Sequence, residues 1–430
     1  MTDKSKSRIT RENPPKTLPL GDADWLRQRS CQVVFEALEA GGYEARAVGG
    51  AVRNTLMRLP VADVDIATPA RPGEVSELAK SAGLDVHETG IAHGTLTIVS
   101  LGVAYEVTTL RRDVSTDGRR ATVAFTDDWL EDAKRRDFTI NAIYCDRDGK
   151  LYDPLRGCED IAQRRVRFIG SAEQRIREDY LRILRFFRFF AVYSDSAIDA
   201  TGAAACEKER DGITQLSGER IRAELLKLLV APRAVDALKV MEQTSILMRS
   251  LEQVAAVSTL EKLVEIEREN GLWPDSIRRL AALIAPKAGC IQKLAHRLRL
   301  SNAEGKQLSN ACRGQGPDYK TSVLGAKTGL YKYGLTAYRD DCLISWARSN
   351  ARPNDPDWMR ALQIAEDWQV PEMPLKGSDL LALGVPAGPD VGSILAEFEQ
   401  WWIDSGFVAD TELQRNKLNG LVAKFGRAKE

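Results

Sequence analysis

Apolar positions change their spacing about a third of the way along the chain. In residues 32–145, short runs such as 44–48, 95–101 and 104–110 alternate apolar with polar side chains or are rich in β-branched residues, and helical stretches separate them. This spacing predicts a mixed α/β domain. From about Asp160 onward apolar residues recur at helical intervals, as in Tyr180, Leu181, Leu184, Phe187 and then Ile221, Leu225, Leu226, Leu229, so the remainder is expected to be all helical and the whole chain α+β. Breakers at 231–232, 316–317, 353–356 and 371–374 mark the expected joints between helical groups.

The most informative local pattern is RAVGGAVRNTLMRLPVADVDIAT, residues 46–68. A strand ending at Val48 runs into Gly49 and Gly50, and residues 51–59 have helical spacing. Two residues without Cβ then place backbone N–H groups at a helix start, a nest that can cradle phosphate. Arg53, in the first turn, can add a charge-assisted contact to a phosphate oxygen. Asp63 and Asp65 follow. On a strand, residues two apart share a face, so both carboxylates are expected to project together while Val64 and Ile66 enter the core. Adjacent anions repel, and a divalent cation with oxygen ligation relieves that repulsion. Glu106, sharing a strand face with Thr108, is a candidate third acid.

A second pattern, RIREDYLRILRFFRFF, occupies residues 175–190. Asp179, Arg182, Arg185 and Arg188 are three apart, so the spacing predicts neighbours on one helix, with Leu181, Leu184 and Phe187 anchoring it. Residues 161–190 hold eight Arg and three acids, a local excess of 8 − 3 = +5. That is an anion site. Between the two patterns, residues 132–141 set paired arginines beside an acid and a Thr/Asn pair, suited to phosphate or base contact.

Composition narrows the classes. Lys plus Arg number 61 and Asp plus Glu 61, so the formal charge is zero, which excludes a histone-like or polyanion-like chain. The longest apolar stretches fall short of the roughly 20 residues a membrane helix needs, and no membrane span is expected. The first 20 residues carry five Lys/Arg and two acids without the apolar core of a secretory signal, and are read as a basic arm. Seven widely spaced cysteines with no C-x-x-C pair are expected as free thiols of a cytoplasmic protein. Three histidines speak against a multi-histidine metal site or a Ser-His-Asp hydrolase.

The motifs GGAVRN, DVDIAT, IAHGTLTIV, YEVTTLRRDVSTDGRRATVAFTDDW, DAKRRDFTINAIY, YDPLRGCEDI and RIREDYLRILRFFRF, in this order over residues 45–230, resemble the class II CCA-adding tRNA nucleotidyltransferases of the poly(A) polymerase superfamily. Beyond 230 the resemblance rests on helical character and on LKGSDLLALGVPAGPDVG. It implies a basic arm (1–30), a nucleotidyltransferase head (31–155), a helical neck (156–230), a helical body (231–350) and a tail (351–430). It further implies Asp63 and Asp65 as catalytic Mg²⁺ ligands and Gly50 and Arg53 on the triphosphate. Asp179 and Arg182 would read the base, and Arg136, Arg185 and Arg188 would contact the nucleotide. Two ions would activate the tRNA 3′-hydroxyl for in-line attack on the α-phosphate. The implied reaction adds C, C and A to the 3′ end of tRNA from CTP and ATP without a template. One departure is visible: Asn54 stands where these enzymes usually carry Asp, and altered local hydrogen bonding is expected there.

Two alternatives stay open on the residues. One is a poly(A) polymerase or an enzyme adding only CC or only A; residues 113–123 resemble the flexible loop that complete CCA enzymes possess and CC-adding forms lack, and His93-Gly94-Thr95 resembles CCA enzymes more than poly(A) polymerases. The other is a non-catalytic tRNA-binding relative, against which the intact carboxylate pair speaks. Backbone contacts to tRNA are expected from the basic stretches 287–313 and 424–429.

Overall fold

The structure is a computed structural model that describes residues 20–117, 120–253, 255–284, 289–408 and 410–427. Most of the expected basic arm, and residues 285–288 and 428–430 of the two basic stretches, lie outside the described residues. The chain divides into two compact units, residues 1–250 and 251–430.

The first unit is built on a seven-stranded mixed sheet. Its strands are β1 (Arg46–Val48), β2 (Asp65–Thr68), β3 (Asp85–Gly90), β4 (Thr95–Ser100), β5 (Val103–Thr109), β8 (Tyr144–Cys145) and β9 (Leu151–Tyr152), in the order β3-β4-β5-β2-β1-β8-β9. β6 (Arg111–Asp117) and β7 (Arg120–Phe125) form a separate antiparallel ribbon, which takes up the 113–123 segment. Alternation in the sequence becomes alternation in burial. Leu96 and Ile98 on β4, and Tyr105 and Val107 on β5, are buried, and the residues between them are more accessible. Helices α1 (Arg29–Ala40), with Val34, Phe35 and Leu38 buried, and α3 (Pro72–Ser81), with Val75 and Ala79 buried, contribute to this core. Between them in sequence, α2 (Gly50–Leu56) springs directly from the end of β1.

After β9 the described residues contain helices and no further strand beyond isolated bridges. Helix α4 (Trp129–Lys134) precedes β8, and α5 (Ala172–Glu178), α6 (Leu181–Tyr193) and α7 (Gly218–Leu229) complete the frame of the site. Phe186, Phe187, Phe189 and Phe190 of α6 are buried, whereas Arg182, Arg185 and Arg188 occupy its half-buried rim.

Two expectations change. The strand begins at Asp65, so Asp63 sits in the irregular lead-in, although Val64 and Ile66 are buried and both aspartates exposed as the period-two reading requires. The arginine-rich stretch is two helices rather than one, because Asp179 adopts an extended conformation (φ −158°, ψ 106°) between α5 and α6. Its carboxylate accepts from the Leu181 N–H at 3.1 Å, a local competition that short acidic side chains win at helix ends.

The second unit is helical. Within it α8 (Val257–Glu269), α9 (Ser276–Leu283) and α10 (Leu335–Arg348) enclose a buried ion network: Arg278 bonds Glu267 and Asp340, and Arg279 bonds Glu267. Leu380, Ile394, Phe398 and Trp402 form a separate core under the LKGSDLLALGVPAGPDVG segment. All seven cysteines are free thiols. Among the described residues no helix is long and apolar enough to cross a membrane.

Candidate active site

The site begins with a turn. Gly49 caps α2 with φ 73° and ψ −115°, a conformation that disfavours side chains with a Cβ. The strand-to-helix transition therefore falls here, and the N-terminus of α2 opens beside the sheet edge where β1 ends. Register does the rest. Val48 pairs with Asp65 and Asp65 pairs with Glu106, so the first residue of β2 lies level with the glycine turn on one side and with Glu106 on the other.

A cleft of about 360 Å³ is lined by Gly49, Gly50, Arg53, Asp65, Arg135, Arg136, Asp137, Asn141, Asp179, Arg182, Arg185 and Phe189. Seven of the nine residues to which the resemblance gives a role thus share one cavity: Gly50, Arg53, Asp65, Arg136, Asp179, Arg182 and Arg185. Asp63 and Arg188 are not among its lining residues. Asp63 is exposed just ahead of β2, and Arg188 donates to Glu224 on α7 at 2.5 Å with its guanidinium 4.5 Å from the Phe189 ring.

The cleft arginines are held by carboxylates behind them. Asp132, 1% exposed, bonds Arg135 at 2.7 Å and Arg136 at 3.0 Å and accepts from the Tyr144 hydroxyl at 2.8 Å. Burial raises its pKa, but Arg136 and Arg135 outweigh that and hold it at about 2. Asp137 receives Arg185 through two hydrogen bonds of 2.8 and 2.6 Å, and these with the Asn141 amide keep its carboxyl below the usual range despite burial. Arg182 pairs with Glu178 at 2.6 Å, and Asp179 pairs with Arg220 at 2.8 Å rather than with Arg182. Residues Arg220 and Glu224, four apart on α7, therefore brace the row from outside the cleft.

Asp137 and Asn141, the acid and the amide of the 132–141 pattern, line the cleft. Sequence reasoning missed Arg220 and Glu224 as parts of this frame; their one signal was an Arg and a Glu at helical spacing.

The acid side of the cleft is electrostatically tense. Desolvation in the recess raises the Asp65 pKa, Glu106 and Asp63 raise it further, and Arg136 opposes them. Hard carboxylate oxygens in mutual repulsion fit a small divalent cation, which would favour their ionised forms. Among the described residues no cluster of three or more His, Cys, Asp or Glu side chains stands in ligating geometry. An ion held by Asp63 and Asp65 would take its remaining ligands from other oxygens.

The chain matches the family model of the poly(A) polymerase head domain over residues 45–167, and that of a probable RNA-binding site of polymerase A over residues 197–257. It is 33% identical over 391 residues to the mitochondrial CCA tRNA nucleotidyltransferase 1 of Danio rerio, covering 86% of each chain. To the Homo sapiens protein of the same name it is 32% identical over 392 residues, covering 89% of this chain and 87% of that one. The Bacillus stearothermophilus CCA-adding enzyme, solved in complex with CTP, superposes with a TM-score of 0.70 at 25% identity, over 96% of this chain and 99% of that one. Likeness of that depth along both sequence and fold means that this chain belongs to the class II CCA-adding tRNA nucleotidyltransferase family.

Proposed function

We propose that this protein adds C, C and A in turn to the 3′ end of tRNA from CTP and ATP, releasing pyrophosphate at each step. The observation that carries the reading is the convergence in one cleft of the Asp65 carboxylate, the Gly49–Gly50 turn with Arg53, and the row Asp179, Arg182, Arg185. Acid, phosphate cradle and base reader are the three parts the reaction needs.

Each part has a task fixed by its chemistry. The amides at the start of α2 and the Arg53 guanidinium hold the triphosphate. Asp179 accepts from the exocyclic amino group of cytosine or adenine, and Arg182 donates to an adjacent ring acceptor. Uracil and guanine present a carbonyl where those two bases present the amino group, so the same pair rejects them. Protein side chains thereby take the role of a template. Arg136 and Arg185, fixed by Asp132 and Asp137, present their cationic edges to the nucleotide with little entropy left to lose. Arg188, outside the lining, orients this row through Glu224 and Phe189. Asp63 and Asp65 are the residues suited to hold Mg²⁺, which when bound neutralises phosphate charge and lowers the pKa of the attacking 3′-hydroxyl.

Within this reading residues 31–155 serve as head, 156–230 as neck, 231–350 as body and 351–430 as tail, and we place the enzyme in the cytoplasm. The test is extension of a tRNA lacking its 3′ end, with Mg²⁺ and CTP alone, ATP alone, or both, sized at single-nucleotide resolution. Three additions ending in A, only with both substrates, are expected. Long A tails or a stop after two residues would refute it in favour of the other polymerases.

A further inference from the structure

The five arginines that line the cleft are not equivalent. Arg135 and Arg136 are paired with Asp132, Arg182 with Glu178, and Arg185 with Asp137. Arg53 alone, among the described residues lining the cleft, has no carboxylate at ion-pair distance, and it is the most deeply buried of them, at 6% exposure. Its guanidinium is nonetheless held by four hydrogen bonds, all to neutral groups. Nε and Nη2 donate to the Asn54 Oδ1 at 3.1 and 2.9 Å, Nη1 donates to the Asn141 Oδ1, and Nη2 also donates to the Tyr193 hydroxyl at 2.7 Å. The Tyr193 ring lies 4.1 Å from the guanidinium carbon.

Neutral acceptors orient a cation without cancelling its charge. A carboxylate at the same place would do both, because a bidentate Arg–carboxylate pair is the strongest local competitor for a phosphate oxygen. We propose that Asn54 sets the affinity of this cleft for the polyphosphate of its substrate, by fixing the Arg53 guanidinium without giving it a carboxylate partner. The inference rests on the reading above that the cleft takes a nucleoside triphosphate, and it deepens that reading by assigning the specificity for the phosphate end to a residue that touches no substrate. Asn54 is thus a positioning residue. Desolvation acts in the same direction: the buried Arg53 has its pKa lowered, the mark of a cation whose surroundings do not fully repay its lost water.

The amide does a second thing that a carboxylate cannot. Its Nδ2 donates to the Pro60 carbonyl at 2.8 Å, while the Asn54 backbone oxygen accepts from the Leu59 N–H at 2.8 Å. One side chain therefore ties the phosphate-side guanidinium to the segment that leads into Asp63.

Asn54→Asp changes one atom type and tests the charge argument directly. CTP and cytidine are titrated calorimetrically against the full chain, in Mg²⁺, over a series of salt concentrations. The expected result for Asn54→Asp is CTP binding weakened about tenfold, cytidine binding changed less than about twofold, and a shallower salt dependence for CTP. CTP affinity and salt slope equal to those of the parent would overturn the inference and leave the proposed function standing. A parent protein that does not bind CTP would overturn both. Should Asn54→Asp fail to fold, Asn54→Ala removes the orienting amide and leaves every charge in place: CTP binding weakened several-fold with cytidine binding unchanged supports the inference, and CTP affinity equal to that of the parent sinks it.

Discussion

Replacing Asp132 with Asn removes one charge from a residue that does not line the cleft. The carboxylate is 1% exposed and anchors Arg135, Arg136 and Tyr144 together. Its pKa in the folded chain is about 2, against an ordinary 3.8. A difference of nearly two pKa units corresponds to about 2 kcal/mol of folding stability at neutral pH. The sign follows from the depression: the contribution is fully present above pH 4 and is lost as pH falls through the folded value, with roughly half remaining at pH 3. Asn keeps the shape and the hydrogen bond to Tyr144 but leaves two guanidiniums facing a neutral group, so the loss at pH 7 is expected to be about 2 kcal/mol or somewhat more. With a urea dependence near 3 kcal/mol per molar, the midpoint of the first unit falls by roughly 0.7 M. The assay is urea unfolding followed by circular dichroism, for parent and variant, at pH 7, 4 and 3. Equal midpoints at pH 7, or a gap that stays constant down to pH 3, would refute the claim that the Asp132 charge holds the arginine pair.

Other substitutions separate the parts of the site. Asp65→Asn should reduce single-turnover CMP addition on the order of a thousandfold while tRNA binding, read by gel shift, stays within about threefold. Glu224→Gln frees Arg188 and loosens Arg185 and is expected to raise KM for CTP and ATP about tenfold, with relaxed exclusion of UTP in competition assays. In the second unit, Arg297 is paired with Glu252 at 2.6 Å and Arg299 is exposed. Arg297→Glu and Arg299→Glu together should lower the salt slope of tRNA binding by about one or more.

The sequence on its own determined the local chemistry of this protein. A strand ending at Val48, two glycines and a helix carrying Arg53 follow from rules that act over a few residues, and so does the shared exposure of Asp63 and Asp65 about the buried Val64 and Ile66. The arginine-rich stretch announced an anion site for the same reason, since its periodicity lies within one segment. Its division at Asp179 was not legible, because the residues on both sides favour helix and the break is held by a cap and by Arg220, 41 residues away.

Tertiary structure alone decided which charges are spent. Arg185 finds Asp137 48 residues away, and Arg188 finds Glu224 36 residues away, on elements whose approach no local period encodes. Ion pairing depends on distances of a few ångströms between segments, set by strand register and helix crossing rather than by spacing along the chain. Only once those pairs are formed does Arg53 stand out, buried among neutral acceptors, as the cleft arginine whose charge is left for a ligand.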